Sequence, residues 1–389
     1  MKAPKIPFLT FEVGSFRKPG PLLKAAANKK LEAGDFEELE RFLSLIQMSG
    51  TLPELKALLK QAGPDQKYDD RFHDEVNRWL VRLNIKYKES TGIDLVDAGE
   101  WLRREMYQHV IDNDTLTGIQ LLTHVRSFDY NFWKPGVYTG PVTYDSDKPI
   151  YLQEFEWAKE FATKPLKICL TAFNTVAEWT IQGRGYFEDI VFDLIDEVYI
   201  PEVVKLLDAG ANWIQLDEPA LTTDPSHVDT FVDAWNYFVT RIKGHLRSDT
   251  VLGLHNCFSD YSLLWPALPE LSQLGAMTLE FANRDSWNAG TGDIERPAYH
   301  HYAADVKNLY ETGFTARIAL GVIPVHTTHE TPPELVRDRL LYTNRLVGDP
   351  ELVLAAPDCG LRQQDLVTAH KLLKNLVEGA KMARKTIEP

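Results

Sequence analysis

The chain has 389 residues, 44% of them hydrophobic, and is long enough to bury one large core or two ordinary ones. Its 42 basic and 56 acidic residues give a net charge of -14, which argues against binding to nucleic acid or to a membrane surface. The sequence has no apolar run of about 18 residues, no signal-peptide pattern at its start, and only three cysteines. We therefore expect a cytoplasmic protein with free thiols that are available to a metal.

Eight short apolar runs with strand character recur along the chain, and helical stretches separate them. In order, the runs are FLTFEVGSF, IDLVDAGE, LKICLT, WIQLDEP, VLGLHNC, AMTLE, RIALGV and LVLAA. Segments with apolar residues at three- and four-residue spacing cover 190–209, 226–246, 298–312, 332–347 and 362–385. Strands that alternate with helices pair in parallel, and eight such units close a barrel. We therefore predict an α/β fold of the (β/α)8 TIM barrel type.

Two stretches are too long for a minimal barrel. Residues 16–68 contain two helical patterns ahead of a barrel helix at 69–91, so we expect a helical insertion after strand 1. Residues 107–150 are rich in aromatic residues, and Pro135 and Gly136 interrupt their strand composition, so we expect a hairpin excursion after strand 2. Neither stretch has the composition of a linker, and we predict one domain over 1–389.

Metal-ligand residue types gather at the ends of three of these runs. His255 and Cys257 end the fifth run, and they share one face of a strand because they are two residues apart. Glu280 ends the sixth run, and Cys359 follows the eighth. Zinc accepts nitrogen, sulfur and carboxylate donors, so these four residues are a candidate zinc site. The His-x-Cys pair by itself is a weak signal, because such a pair is more often part of a buried core than a metal site.

Acidic residues end the second and fourth runs. At the mouth of a barrel, Asp217 beside Glu100 could hold a cationic amine, and Ser15 after the first run could add a hydroxyl contact. Two structural alternatives remain open. Asp217 could cap a helix, and Glu100 could pair with Arg103 or Arg104.

Four further residues carry functional groups whose role depends on their place in the fold. His326 and His329 follow the seventh run, where either could donate a proton near neutral pH or could belong to a surface turn. Cys169 lies in the middle of a strand between apolar neighbours, so we predict that it is a core residue. Trp179 could pack in the protein or present its flat face to a planar ligand.

Seven motifs together resemble, in order and approximate spacing, the catalytic barrel of cobalamin-independent methionine synthase. They are VGSF, DLVDAGEWLRREM, IQLDEPAL, LHNCFSDY, TLEF, GVIPVH and PDCGL, and the resemblance runs from about residue 8 to about residue 385. It implies a zinc-dependent methyltransferase that moves a methyl group to the thiolate of homocysteine and forms methionine. The methyl donor would be a methyl-tetrahydropterin (folate) or a methylated corrinoid protein.

The same resemblance assigns roles to individual residues. The zinc ligands fall on His255, Cys257, Glu280 and Cys359. The site for the amino-acid substrate falls on Val13, Gly14, Ser15, Glu100 and Asp217. The proton-donating histidine falls on His326 rather than His329, and Trp179 aligns with the tryptophan that lies against the folate ring.

The chain also departs from the family's pattern. Its 389 residues leave no room for the second barrel of full-length members, so we expect a short single-barrel core form. Ala172 and Phe173 replace a Gly-Pro pair. The arginine-rich stretch near the folate tail is not evident, and only Lys134 remains there. We therefore predict that a monoglutamate pterin is at best a weak donor and that a longer glutamate tail does not improve it.

Two other functions fit part of the pattern. The first is zinc-dependent alkylation of a different thiol, such as a coenzyme M-type sulfonate thiol, by methyl or epoxide transfer. A sulfonate thiol has no ammonium group, so the acids Glu100 and Asp217 argue against it. The second is a barrel that binds zinc without catalysis, which would close the metal with four tight ligands, whereas a catalytic site keeps one labile position.

Overall fold

The computed structural model describes residues 4–63, 70–103, 105–128 and 131–388. Its strands are β1 Leu9–Thr10, β2 Val96–Asp97, β3 Thr117–Leu121, β4 Arg126–Phe128, β5 Asn131–Trp133, β6 Gly136–Thr143, β7 Leu166–Thr171, β8 Trp213–Asp217, β9 Val251–Asn256, β10 Leu274–Leu279, β11 Arg317–Leu320 and β12 Leu354–Ala355. Its α-helices are α1 Gly20–Ala26, α2 Ala33–Leu45, α3 Leu52–Leu59, α4 Asp70–Thr91, α5 Met106–Ile111, α6 Leu152–Phe161, α7 Phe173–Trp179, α8 Phe187–Leu194, α9 Ile200–Asp208, α10 Val228–Ile242, α11 Pro297–His301, α12 Ala303–Glu311, α13 Pro333–Val347 and α14 Leu366–Ile387.

Eight parallel strands form a closed ring. The strands β2 and β7 to β11 make one six-stranded sheet in chain order, and β1 pairs with β12. Single parallel bridges, Phe11 to Leu95 and Ile318 to Val353, join these two pieces at both edges. Each of these strands overlaps one of the eight apolar runs, and β10 begins two residues before its run. The predicted α/β barrel is therefore confirmed.

The two long stretches form the predicted additions to the barrel. The insertion after β1 contains α1, α2 and α3, and residues 64–69 at its end lie outside the described residues. Its Phe42 ring lies 6.1 Å from the ring of Tyr87 on α4 and 6.1 Å from the ring of Trp101 after β2. After β2, the antiparallel pairs β3 with β6 and β4 with β5 form the hairpin excursion. The short helix α5 precedes it and was not predicted.

One predicted helix is interrupted. The segment 190–209 folds as α8 and α9, which a π-helical turn over Ile195–Tyr199 connects. Pro201 lies in the first turn of α9. A residue there has no hydrogen-bond acceptor within that helix, so the N–H that proline lacks is not needed. None of the described helices is long and apolar enough to cross a membrane.

The interior of the barrel changes from apolar to polar along the strands. Residues on alternate strand positions face inward, and those near the strand starts form an apolar cluster that includes Phe11 and Trp213. Gly253 leaves room for the Trp213 indole, because a Cβ atom on Gly253 would lie 3.2 Å from its nitrogen. Further along the same faces, Lys167 and Gln215 replace the apolar side chains. The carboxyl end of the barrel is therefore its polar end.

Candidate active site

A cavity of about 770 Å³ opens at the carboxyl ends of the barrel strands. Ten of the eleven predicted site residues line it. They are Val13, Gly14, Ser15, Glu100, Trp179, Asp217, His255, Cys257, His326 and Cys359. The closed ring of parallel strands brings these residues together, because it collects the strand ends on one rim.

His255, Cys257 and Cys359 form a compact cluster on one side of this cavity. A ring nitrogen of His255 and both sulfur atoms lie within 4.8 Å of one another, and the sulfurs are 3.7 Å apart. Nδ1 of His255 donates to the carbonyl oxygen of Thr278 at 3.1 Å, which fixes the ring. Nε2 is buried and has no hydrogen-bond partner among the described residues. A buried lone pair beside two sulfurs is the donor set that zinc takes, so these residues fit the metal.

The two thiols of this cluster differ in pKa, and Glu280 lies next to the cluster without being part of it. The hydrogen bond between the sulfurs lowers the pKa of Cys359 well below its ordinary value and raises that of Cys257 well above it. The carboxylate of Glu280 is buried beside them, where it accepts hydrogen bonds from the Phe258 amide at 2.8 Å and the Asn283 side chain at 3.1 Å. It is outside the three-residue cluster, and its role as a ligand stays a prediction.

Two acids, Glu100 and Asp217, lie close together at the cavity floor, and Asp217 pairs with His255 in the register of β8 and β9. The carboxylate of Glu100 lies directly over Gly14, where a Cβ atom would come 2.3 Å from the Glu100 oxygen. The backbone of Glu100 is left-handed, with φ of 75°, which is a strained conformation for a residue with a side chain. Ligand atoms of Glu100, Cys169 and Asp217 lie within 4.8 Å of one another. Burial raises the pKa of Asp217 to about 6 and that of Glu100 well above its ordinary value, so both acids lack a full set of cationic partners.

The ion pair predicted as an alternative for Glu100 is long. Arg103 lies 3.7 Å from Glu100 but 3.1 Å from Glu154, which also accepts the Glu100 amide at 2.8 Å. Arg104 lies outside the described residues. The main partner of Arg103 is therefore Glu154, and Glu100 keeps its carboxylate toward the cavity.

The helix-cap alternative belongs to the neighbour of Asp217. Oxygens of Glu218 accept from the backbone amides of Asn174 at 3.1 Å and Thr175 at 2.6 Å, in the first turn of α7. Glu218 is fully buried and does not line the cavity, whereas Asp217 does. The two adjacent acids thus face different surroundings, as successive residues at the end of a strand must.

His326 and His329 occupy different places. The ring of His326 lines the cavity, with Nδ1 3.2 Å from the Gln363 side-chain oxygen and the ring centre 4.9 Å from that of Phe258. His329 is outside the lining, and its ring nitrogen lies 3.0 Å from the Thr327 hydroxyl. The geometry therefore favours His326 as a proton donor to a molecule in the cavity.

The hairpin excursion supports Trp179. Its indole stacks on that of Trp133 from the hairpin, with ring centres 4.8 Å apart and planes at 22°. A bridge between Val137 and Ile181 ties the hairpin to the segment that follows Trp179. Trp133 was not among the residues predicted from the sequence, although it lies in the aromatic-rich stretch 107–150. Phe173 of the altered turn lies outside the cavity, against aromatic residues of the helical layer.

Three cations that line the cavity were also missed. They are Arg17, Lys18 and Arg362, whereas the predicted Lys134 is exposed and outside the lining. Lys18 donates to the carbonyl oxygen of Arg103, and burial lowers its pKa to about 8. The signal was available in the sequence, because Arg17 and Lys18 directly follow VGSF, and Arg362 directly follows PDCGL.

The fold and this cavity define a (β/α)8 barrel enzyme with a metal-type donor cluster and a buried acid pair at its active end. The chain matches the family model "Cobalamin-independent synthase, Catalytic domain" over residues 53–382, and it belongs to this family. It is therefore a methyltransferase.

Individual relatives match over most of their length. The chain is 30% identical to a methionine synthase of Thermoplasma acidophilum, over 97% of this chain and 98% of that protein. It is 31% identical to a methionine synthase of Pyrococcus furiosus, over 78% of this chain and 81% of that protein. Among solved structures, a B12-independent methionine synthase from Shewanella sp. W3-18-1 in complex with selenomethionine gives a TM-score of 0.70, at 18% identity and over 98% and 99% of the two chains. This likeness concerns the fold.

Proposed function

We propose that this chain transfers a methyl group to the sulfur of homocysteine and forms methionine, with zinc held by His255, Cys257 and Cys359. Glu280 is the fourth and replaceable ligand, since carboxylate oxygen suits zinc less well than sulfur. The observation that carries the proposal is a single cavity that is lined by both a nitrogen-sulfur cluster and the acids Glu100 and Asp217. A substrate with a thiol at one end and an ammonium at the other matches both.

The residues around this cavity have distinct roles in the proposed reaction. Bound zinc would supply a Lewis acid that keeps a coordinated thiol deprotonated near neutral pH. Asp217 and Glu100 bind the ammonium group of homocysteine through charge-assisted hydrogen bonds. The backbone N–H of Gly14 and the hydroxyl of Ser15 bind its carboxylate, because both residues line the same wall of the cavity. These contacts direct the sulfur toward the methyl donor.

The methyl donor is a methyl-tetrahydropterin or a methylated corrinoid. Trp179 offers a stacking face for a pterin, and His326 can protonate the nitrogen that a pterin leaves behind. The prediction that a monoglutamate pterin is a weak donor, with no gain from a longer tail, stays a prediction. The cations Arg17, Lys18 and Arg362 oppose it, because they offer an anionic tail partners that the sequence analysis did not anticipate.

A different thiol substrate is less well supported. A sulfonate thiol carries a negative charge where homocysteine carries an ammonium, and it would face two buried acids in this cavity. Like charges in a buried site repel strongly, so the acid pair opposes this substrate.

The test combines metal analysis with a homocysteine-dependent methionine assay that uses methyl-pterins and methylcobalamin as donors. We expect one zinc per chain, and Cys257→Ser and Cys359→Ser should each lose both the zinc and methionine formation while the far-ultraviolet circular dichroism stays unchanged. Cys169→Ser is the matched control, because this third cysteine lies outside the cluster and should keep the metal. Full zinc content in both cluster variants would overturn the metal assignment. Zinc without methionine from any donor would overturn the transfer.

A further inference from the structure

The carbonyl oxygen of Val13 lies among buried donors just beneath the cavity floor. Nζ of Lys167 is 2.6 Å away, Nε2 of Gln215 is 2.9 Å away, and Sγ of Cys169 is 3.1 Å away. Lys167 is fully buried and Gln215 is 2% exposed. A carbonyl oxygen has two lone pairs, so the Lys167 ammonium and the Gln215 amide saturate it and hold its peptide plane in one orientation.

That peptide plane sets the direction of the next amide. The structure has no cis peptide bond among its described residues, so the Val13–Gly14 peptide is planar and trans. Its N–H therefore points away from the carbonyl oxygen, from the barrel interior toward the cavity that Gly14 lines. Hydrogen bonds to the oxygen also polarise the peptide group and strengthen the N–H as a donor.

Gln215 connects this amide to the acid on the other wall. Its Nε2 also donates to Oδ1 of Asp217 at 2.7 Å, and its Oε1 accepts from Nζ of Lys167 at 2.8 Å. A lysine ammonium can only donate, so the oxygen of the Gln215 amide must face Lys167. Its nitrogen must then face Val13 and Asp217. Lys167 thus determines the orientation of Gln215, and Gln215 determines that of Asp217.

We propose that Lys167 and Gln215 are positioning residues for the amino-acid end of the thiol substrate. Through Val13 they aim the Gly14 N–H at the substrate carboxylate, and through Asp217 they aim an acid at its ammonium. This inference rests on the proposed function, because it assumes a substrate that carries both groups. The buried pair fixes the spacing between an anion site and a cation site, and it thereby selects an α-amino acid over a thiol that lacks either charge.

The test compares three thiols on variants of this pair. Homocysteine is compared with mercaptobutyrate, which lacks the amine, and with aminopropanethiol, which lacks the carboxylate. Lys167→Met removes the cation at similar length. Gln215→Glu keeps the size of the side chain and replaces its donor with an acceptor. The readout is the ratio of kcat/KM for homocysteine to kcat/KM for each truncated thiol, which a loss of stability alone does not change.

We expect this ratio to fall by about 10-fold or more in both variants, because each removes hydrogen bonds that orient the two groups that bind the charged ends of homocysteine, the Gly14 N–H and the Asp217 carboxylate. Lys167→Arg, which keeps the charge and donors, should recover part of the selectivity. Arg296→Met is the matched control. Arg296 is also fully buried, but it pairs with Asp285 at 2.8 Å and does not line the cavity. It should lose stability and keep the ratio within about twofold of the wild type.

The possible results separate this inference from the proposed function. An unchanged ratio in folded Lys167→Met and Gln215→Glu overturns the inference and leaves homocysteine as the substrate. An equal fall in Arg296→Met also overturns it, because the effect would then belong to any buried cation. A wild-type protein that makes no methionine from homocysteine overturns the proposed function itself. If Lys167→Met does not fold, Gln215→Glu and Gln215→Leu carry the test.

Discussion

Replacement of Asp217 by asparagine removes a charge from the cavity with little change of shape. The oxygen of the introduced amide can still accept the hydrogen bond that Gln215 Nε2 makes to Asp217 Oδ1 at 2.7 Å. The variant side chain therefore keeps its place, and the loss is electrostatic. We expect weaker use of homocysteine and an unchanged zinc content, because Asp217 is not one of the three clustered residues His255, Cys257 and Cys359.

The size of the effect follows from the burial of Asp217, which is 8% exposed. Two unit charges 4 Å apart interact by about 4 kcal/mol at an effective dielectric constant of about 20. Mutational series give about 1.5 to 3 kcal/mol as the contribution of one hydrogen bond to a charged group. Glu100 shares the ammonium group, so we expect a loss of about 2 to 4 kcal/mol, or about 30- to 1,000-fold in kcat/KM for homocysteine.

The matched control is the adjacent acid. The carboxylate of Glu218 accepts from the backbone amides of Asn174 and Thr175 and does not line the cavity. Glu218→Gln should therefore lower the melting temperature without a comparable rise in the KM for homocysteine. Steady-state rates over a range of homocysteine concentrations, with zinc measured on the same samples, make the comparison. If Asp217→Asn keeps the wild-type homocysteine dependence, the acid does not bind the ammonium.

Three further predictions concern proton transfer, the methyl donor and stability. His326→Asn should slow single-turnover methyl transfer from a pterin and spare transfer from methylcobalamin, because only the pterin nitrogen needs a proton. Lys18→Glu should raise the KM for a triglutamate pterin more than that for a monoglutamate, because it reverses a charge at the cavity mouth. Burial, aided by the charge of Lys374, lowers the pKa of His370 from its ordinary 6.5 to about 4. Between pH 6.5 and pH 4, the unfolded chain therefore binds a proton at this residue and the folded chain does not. The free energy of unfolding should then fall by up to about 3 kcal/mol from pH 6.5 to 4, and His370→Asn should flatten this part of the profile in denaturant titrations.

Each of these predictions has a result that contradicts it. Equal slowing with both donors would mean that His326 contributes to the shape of the cavity and does not act as an acid. An equal change in KM for the two pterins would place the glutamate tail away from Lys18. An unaltered pH profile in the His370 variant would assign the acid sensitivity to other groups.

The barrel was predictable because strands buried on both faces read as continuous apolar runs, and the polar residues that end them mark one rim. The side chains that meet in the cavity were found where they lie at the end of such a run, as His255 and Asp217 do. Trp133 could not be placed, because its contact with Trp179 depends on how a hairpin folds back over the rim. Lys167 was passed over, because one lysine in an apolar run does not reveal whether it points into the barrel or out of it. That direction depends on the stagger of the closed ring.

The two buried lysines of the barrel are better explained by the site than by stability. Buried ion pairs seldom stabilise a fold more than apolar residues of the same volume, so Lys88 and Lys167 are costly as structural elements. Lys88 and the Gly99 amide both bind Oδ1 of Asp97, each at 2.9 Å, and Glu100 directly follows Gly99. Although burial opposes its ionisation, Lys88 and Lys167 hold the pKa of Asp97 at about 2, so it remains an acceptor for that amide. One lysine therefore supports the Glu100 wall of the acid pair and the other supports the Asp217 wall, which is a reason for a barrel to bury both.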